Sequence, residues 1–272
     1  MFLIIIVFVI VFKLKKNSFK WENEKLILHA LGEMNNCQYT NSIEALKYWY
    51  HEKKMYLMEA DFQLTKDNHV VLAHDFLHLS QTPNLTEFKK SKSKGNLTPM
   101  TFEDLVKFMY ENKKLYIITD SKYDDPEHII IEFDEMTNIL KKYKGVSSKF
   151  IIQIYNENMY KILKERNYPF KNFLFTLYLR WEPNKGLEDL DKIFEFCQKN
   201  KIKGVVIWIN FFNESIIEIS KKYSIPVYFH SENNIDKIYE LFQKGAKGIY
   251  TDNVDNALLN KYIKNKKNNS QE

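Results

Sequence analysis

The sequence predicts an α/β fold on a parallel sheet, of a size that fits one (β/α)8 barrel. Three observations carry this. Short apolar runs alternate with helix-period segments along the chain, the pattern of repeated βαβ units. The runs are apolar on both faces, as in Ile151-Ile152-Gln153-Ile154 and Val205-Val206-Ile207-Trp208, which suits strands covered by helices or enclosing a core. No linker or composition break divides the 272 residues, and about 250 make one barrel.

The chain opens with an unbroken apolar run from Phe2 to Phe12, followed by Lys13, Lys15, Lys16 and Lys20. Spanning a bilayer takes ~20 apolar residues, whereas the core of a secretory signal takes roughly 7–15. Residues 1–20 are therefore read as a signal or anchor segment, and the protein as membrane-anchored or exported. The lysines after the run favour the alternative, a domain held at the cytoplasmic face. The barrel is expected over 21–263 and a polar, frayed tail over 264–272.

Within the barrel the predicted strands begin near Leu26, Tyr56, Val70, Leu115, Phe150, Phe173, Gly204, Ile225 and Gly248. Helices are predicted after Ser42, Thr101, Pro126, Glu157, Leu187, Ser215 and Ile235. Thr101 ahead of Asp104, Asn41 or Ser42 ahead of Glu44, and Pro126 in a first turn are helix-start signals. Gly145, Gly204 and Gly245 stand at plausible helix ends. Nine strands compete for eight places, so one is an extra. The gap from Asp61 to Val70 is too short for a crossover helix, and the barrel is expected to lack one between its second and third strands. The Lys- and Ser-rich stretch 89–95 reads as an exposed loop.

Composition excludes other classes. A hydrophobic content of 44% is too high for disorder. Cys37 and Cys197, the two cysteines, make neither a disulfide framework nor a thiolate zinc site. Forty basic against 35 acidic residues leave a net charge of +5, with no basic, aromatic-interleaved stripe for nucleic acid. Only Arg166 and Arg180 are arginine, so an anion site here is expected to use lysine, helix ends or metal.

Enzymes on parallel barrels act at the carboxyl ends of the strands. The polar residues there are His29, Glu59 with Asp61, His74 with Asp75, and Asp120 with Lys122. Later strands offer Gln153 and Tyr155, Asn210, His230 and Glu232, and Thr251 with Asp252. Glu59 and Asp61 stand at i and i+2, so on a strand they share a face. Two such carboxylates repel unless one is protonated or a cation bridges them. A hard divalent ion on oxygen ligands resolves this, with Asp120 as third ligand. Two histidines suit proton transfer near neutrality, so metal plus histidines describes metal-assisted phosphodiester cleavage. His51, His69, His78 and His128 lack that placement and read as surface residues, and Asp252 reads as a turn residue.

The segment Leu28 to Asp75 resembles the glycerophosphodiester phosphodiesterase family of the phosphatidylinositol phospholipase C-like superfamily. The resemblance lies in His29-Ala-Leu-Gly32, Thr40-Asn41-Ser42-Ile-Glu44, Glu59-Ala-Asp61, Leu64-Thr65-Lys66-Asp67-Asn68 and Val70-Val71-Leu-Ala-His74-Asp75. Tyr116-Ile-Ile-Thr-Asp120-Ser-Lys122 and Gly248-Ile-Tyr-Thr-Asp252 resemble later family strands. The resemblance implies a TIM-like (β/α)8 barrel that hydrolyses glycerophosphodiesters to glycerol 3-phosphate and an alcohol. It implies His29 and His74 as general acid and base, and one divalent cation, Ca2+ or Mg2+, on Glu59, Asp61 and Asp120. Lys122, Asn41, Gln153 and His230 are expected to bind substrate and phosphate. The partner is a small glycerophosphodiester or lipid head group, with membrane association through the N-terminal segment and no nucleic acid. Ala30 stands where the family has arginine, and Phe229-His230 where it has Trp-Thr. The alternatives are phospholipase D- or sphingomyelinase D-like action on choline lipids, or a non-catalytic barrel that binds phosphorylated head groups.

Overall fold

The structure, a computed structural model, describes residues 19–269 apart from 78, 80 and 178–186. Residues 1–18 of the predicted anchor, His78, Arg180 and the last three residues lie outside the described residues. The strands are β1 (Leu26–Leu28), β2 (Leu57–Leu64), β3 (Val70–Leu72), β4 (Met100–Thr101), β5 (Tyr116–Ser121), β6 (Phe150–Ile154), β7 (Asn172–Thr176), β8 (Val205–Trp208), β9 (Val227–His230) and β10 (Gly248–Thr251). Eight of them close a parallel ring in the order β1-β2-β5-β6-β7-β8-β9-β10, with β10 pairing back to β1. The ring with its surrounding helices is a TIM-like (β/α)8 barrel.

The extra strand is β3. It runs antiparallel to β2, and β4 runs antiparallel to β3. No helix separates β2 from β3, as the short gap requires. β2 continues to Leu64 and reverses in a tight turn, where Thr65 N–H donates to His69 O and Asn68 takes φ 62°. The short gap thus marks an insertion outside the ring. The connection from β2 to the next ring strand, β5, does contain a helix, Phe102–Glu111.

Alternation along the strands builds the interior. Ile27, Leu57, Ile118, Ile151, Leu174, Val206, Tyr228 and Tyr250, one from each ring strand, form a buried layer with Trp21. The large Tyr228 ring fits because it lies against two glycines, Gly204 and Gly248. A Cβ on Gly204 or Gly248 would stand 2.5 or 2.7 Å from its ring. Trp21 and Phe19, which packs on Tyr56 and Tyr116 at the strand starts, close the amino end. One step further along most strands the inward side chains turn polar, with Trp208 on β8 as the exception, and the site begins there.

The capping signals resolve locally. Thr101 and Asp104 form a capping box. Ser42, rather than Asn41, caps the helix Ile43–His51, and Asp125 caps the helix that starts at Pro126. Gly245 ends the helix Ile235–Lys244 at φ 109°. Two expectations change. The stretch from Lys89 is not all loop, because Asn84 and Glu87 cap a helix over Leu85–Lys90. The tail is helical through Asn269, since Tyr262 donates to Asp236 and Lys266 pairs with it at 3.5 Å. Among the described residues no helix is long and apolar enough to cross a membrane.

Glu132 is fully buried between its helix, Pro126–Leu140, and the outer face of β5. It accepts from Ser121 Oγ at 2.6 Å, and its Oε1 has no partner. Burial pushes its pKa up to about 8. The folded chain therefore holds a proton that the unfolded chain releases near pH 4.5. This acid's contribution to stability is complete below pH 4.5 and is lost as pH rises toward 8. Glu132→Gln is expected to remove that decline. The stability difference between variant and wild type should grow in the variant's favour by a few kcal/mol between pH 5 and 8. Urea melts at the two pH values would show it, and parallel pH profiles would refute it.

Candidate active site

The chain leaves β1 through a tight turn, His29–Leu31, with Ala30 at φ 46° and Leu31 at φ 60°. Gly32 follows at φ 89°, and a Cβ there would stand 2.3 Å from Trp49 Nε1. That indole donates to Glu33 O at 3.0 Å and pins the turn. The turn aims Ala30 N–H at Glu59 Oε2, 2.7 Å away, and sets His29 over the barrel mouth.

The acidic cluster follows from register. β2 and β5 pair Asp61 with Asp120, and Glu59 shares the inward face with Asp61. All three are buried, and each offers a carboxylate oxygen within 4.8 Å of the others. Glu59 Oε1 is buried without a hydrogen-bond partner. Burial and the charge of Asp61 push the Glu59 pKa well up. The pKa of Asp61 goes the other way: burial opposes its charge, but Lys122 and His29 outweigh that and hold it down. The Lys122 ammonium lies between Asp61 and Asp120 and pairs with both, and Tyr155 donates its hydroxyl to Asp120. An all-oxygen donor set with an orphaned acceptor fits a hard divalent cation. These three residues could hold one.

The histidines flank this cluster. His29 Nδ1 donates to Asp252 Oδ1 at 2.8 Å, and its Nε2 lies 3.9 Å from Glu59 Oε2. Burial works against an imidazolium there, but Asp252 and Glu59 more than offset it and raise the pKa to about 9. His74 follows β3, outside the ring, and the antiparallel insertion carries it over the mouth. Its Nδ1 donates to Asp75 Oδ2 at 2.8 Å. Tyr39 stands between the two imidazoles, with its ring 4.8 Å from His29 and 4.7 Å from His74. His230 packs edge-on against His29 at 4.5 Å. Burial and the charge of His29 lower its pKa to about 3, so it is neutral. These residues, with Asp61, Asp120, Lys122 and Trp208, line one pocket of about 490 Å³.

The structure brings His29, His74, Asp61, Asp120, Lys122 and His230 to this pocket, with Glu59 buried behind them. Two residues expected to bind substrate are placed otherwise. Gln153 does not line the pocket; its Oε1 accepts from Tyr250 O–H at 3.0 Å inside the barrel. Asn41 is buried and clasps Asp61, donating to Oδ2 at 2.7 Å and accepting from its N–H at 3.1 Å. It sets the carboxylate rather than the substrate. Asn210 is exposed, and Glu232 accepts from the N–H groups of Asn233 and Asn234. Sequence reasoning set Asp252 aside as a turn residue. Its signal was parity: Asp252 faces inward two places after Tyr250, and Asn233 steadies it at 2.7 Å. Tyr39 had no such signal, being on a loop. His69 pairs with Glu135 and His128 with Asp125, away from the pocket.

The sequence profile of the glycerophosphoryl diester phosphodiesterase family matches residues 32–256. The chain belongs to this family. Glycerophosphoryl diester phosphodiesterases are phosphoric diester hydrolases, and this member has their barrel. No curated protein sequence matches it. Solved structures share this fold at low identity. A glycerophosphodiester phosphodiesterase from Parabacteroides distasonis is 18% identical, with TM-score 0.67 over 85% of this chain and 93% of that one. A phosphodiesterase from Oleispira antarctica, in complex with the product sn-glycerol-3-phosphate, is 15% identical, with TM-score 0.66 over 84% and 93%. A glycerophosphodiester phosphodiesterase from Agrobacterium tumefaciens is 13% identical, with TM-score 0.57 over 83% and 94%.

Proposed function

We propose that the chain hydrolyses a glycerophosphodiester to glycerol 3-phosphate and an alcohol, with His29 and His74 moving the protons. The carrying observation is that both imidazoles enter one pocket with Nδ1 held by an aspartate, beside Lys122 and three carboxylates. A carboxylate on Nδ1 fixes the tautomer and leaves Nε2 to exchange a proton. One imidazole takes a proton from the attacking oxygen as it bonds to phosphorus; the attacker is water, or the neighbouring substrate hydroxyl, whose cyclic phosphate water then opens. The other protonates the alcohol oxygen as the phosphorus–oxygen bond breaks. Lys122 faces the phosphate oxygens, and Tyr39 keeps the two rings apart. Glu59, Asp61 and Asp120 would hold one Ca2+ or Mg2+, which when bound offsets the charge on the phosphate.

Membrane association through residues 2–12 belongs to the same proposal. The described chain starts at Phe19 on the amino end of the barrel, opposite the pocket. The test is turnover of glycerophosphocholine, glycerophosphoinositol and lysophosphatidylcholine by the full chain, with Ca2+ or Mg2+. Release of glycerol 3-phosphate from the soluble diesters is expected. Cleavage confined to the lipid would favour a phospholipase D-like activity, and head-group binding without turnover a binding barrel.

A further inference from the structure

We propose that Trp208 forms the wall of the pocket that receives the departing alcohol and selects a quaternary ammonium arm of the choline type. The inference rests on the hydrolase reading and names the substrate class within it. Trp208 ends β8 two places after the inward-facing Val206, so its indole enters the barrel mouth and lines the pocket. It is 43% exposed, whereas Val205, Val206 and Ile207 before it are at 0%. Among the described residues its ring contact is edge-on against Phe211, at 5.5 Å and 89°. A large aromatic so exposed adds little to the core, and its free face meets whatever fills the pocket.

Ring order places that face. β8 stands four strands from β2, diametrically across the eight-stranded ring. Lys122, which would meet the phosphate, and Asp61 and Asp120, which would hold the cation, project from β2 and from the segment at β5. A diester seated there between the histidines extends one arm toward the indole. On that side the strand register sets His230 beside Trp208, and this imidazole is neutral, so it does not repel a cation. An inositol arm carries no charge for a π face to attract. A trimethylammonium arm carries no hydrogen-bond donor and is attracted by the π face of tryptophan, the best of the aromatic side chains for this contact.

The experiment compares wild type, Trp208→Ala and Trp208→Phe on glycerophosphocholine and glycerophosphoinositol. The ratio of the two kcat/KM values, choline over inositol, is expected to fall about 5- to 30-fold in Trp208→Ala. The loss should appear in KM for the choline diester, with Trp208→Phe keeping part of it. Choline chloride titrated into Trp181→Phe, which keeps Trp208 together with the buried Trp21 and Trp49, is expected to change the intrinsic fluorescence, and not that of the Trp181→Phe/Trp208→Phe double variant. An unchanged ratio, or a loss equal on both substrates, would overturn the assignment. So would a choline response that survives in the double variant. If wild type turns over neither diester, the hydrolase reading fails, and the choline titration still decides the role of Trp208.

Discussion

Replacing His74 by alanine is expected to lower kcat by roughly 10²–10⁴-fold, the range for losing a positioned proton-transfer group. The fold should survive, because the imidazole is 40% exposed and, among the described residues, hydrogen-bonds only to the neighbouring Asp75. Rate and stability therefore separate in this variant, with kcat collapsing while the melting temperature stays near that of wild type. His29→Ala should cost as much in rate and more in stability, since His29 is buried and its loss removes the Nδ1 partner of Asp252. Asp252 keeps Asn233, which limits the damage. Activity within a few-fold of wild type in His74→Ala would remove the histidine mechanism.

Withdrawal of the divalent cation is expected to have the other large effect. Exhaustive chelation should abolish turnover, and Ca2+ or Mg2+ should restore it. Glu59→Gln tests the proposed site directly. Burial and Asp61 already favour the protonated Glu59 when no cation is present, so a neutral amide should be tolerated in the chelated protein. What the variant loses is the charge offered to the cation. Its affinity, read by calorimetry, is expected to fall by at least the roughly 10–100-fold seen when only a supporting partner of a metal ligand is lost. Wild type should also melt later when the cation is added, by about 2.7 kcal/mol of stabilisation at a hundredfold excess over Kd. Glu59→Gln should show little of this. Full turnover after chelation, or an unchanged affinity in Glu59→Gln, would refute the site.

These predictions rest on residues of different legibility. Glu59, Asp61, Asp120 and Lys122 could be read from the chain because β2 and β5 are apolar strands whose alternation assigns each side chain to a face. His29 could be read because it directly follows a ring strand. His74 was placed correctly for an incomplete reason, since the strand before it lies outside the ring and runs antiparallel. Gln153 faced the right way, but Tyr250 reaches it across the barrel, a pairing that exists only once the ring closes. Asn41 was legible as polar and near the site. That both ends of its amide are spent on Asp61 depends on a loop with φ 43° at this residue, which no periodicity announces.

By itself the sequence determined the barrel, its strands and the acidic inward face, because alternation and helix period are local properties of the chain. It also held the apolar head and the scarcity of arginine. Only the tertiary structure decided which polar groups satisfy one another and which are left facing the pocket. It turned Asp252 toward His29, folded the β3 insertion so that His74 joins the same pocket, and set Trp208 across the ring from the carboxylates. Hydrogen bonds and buried charges are matched by proximity in space, and ring closure brings together residues as far apart in sequence as His29 and Asp252.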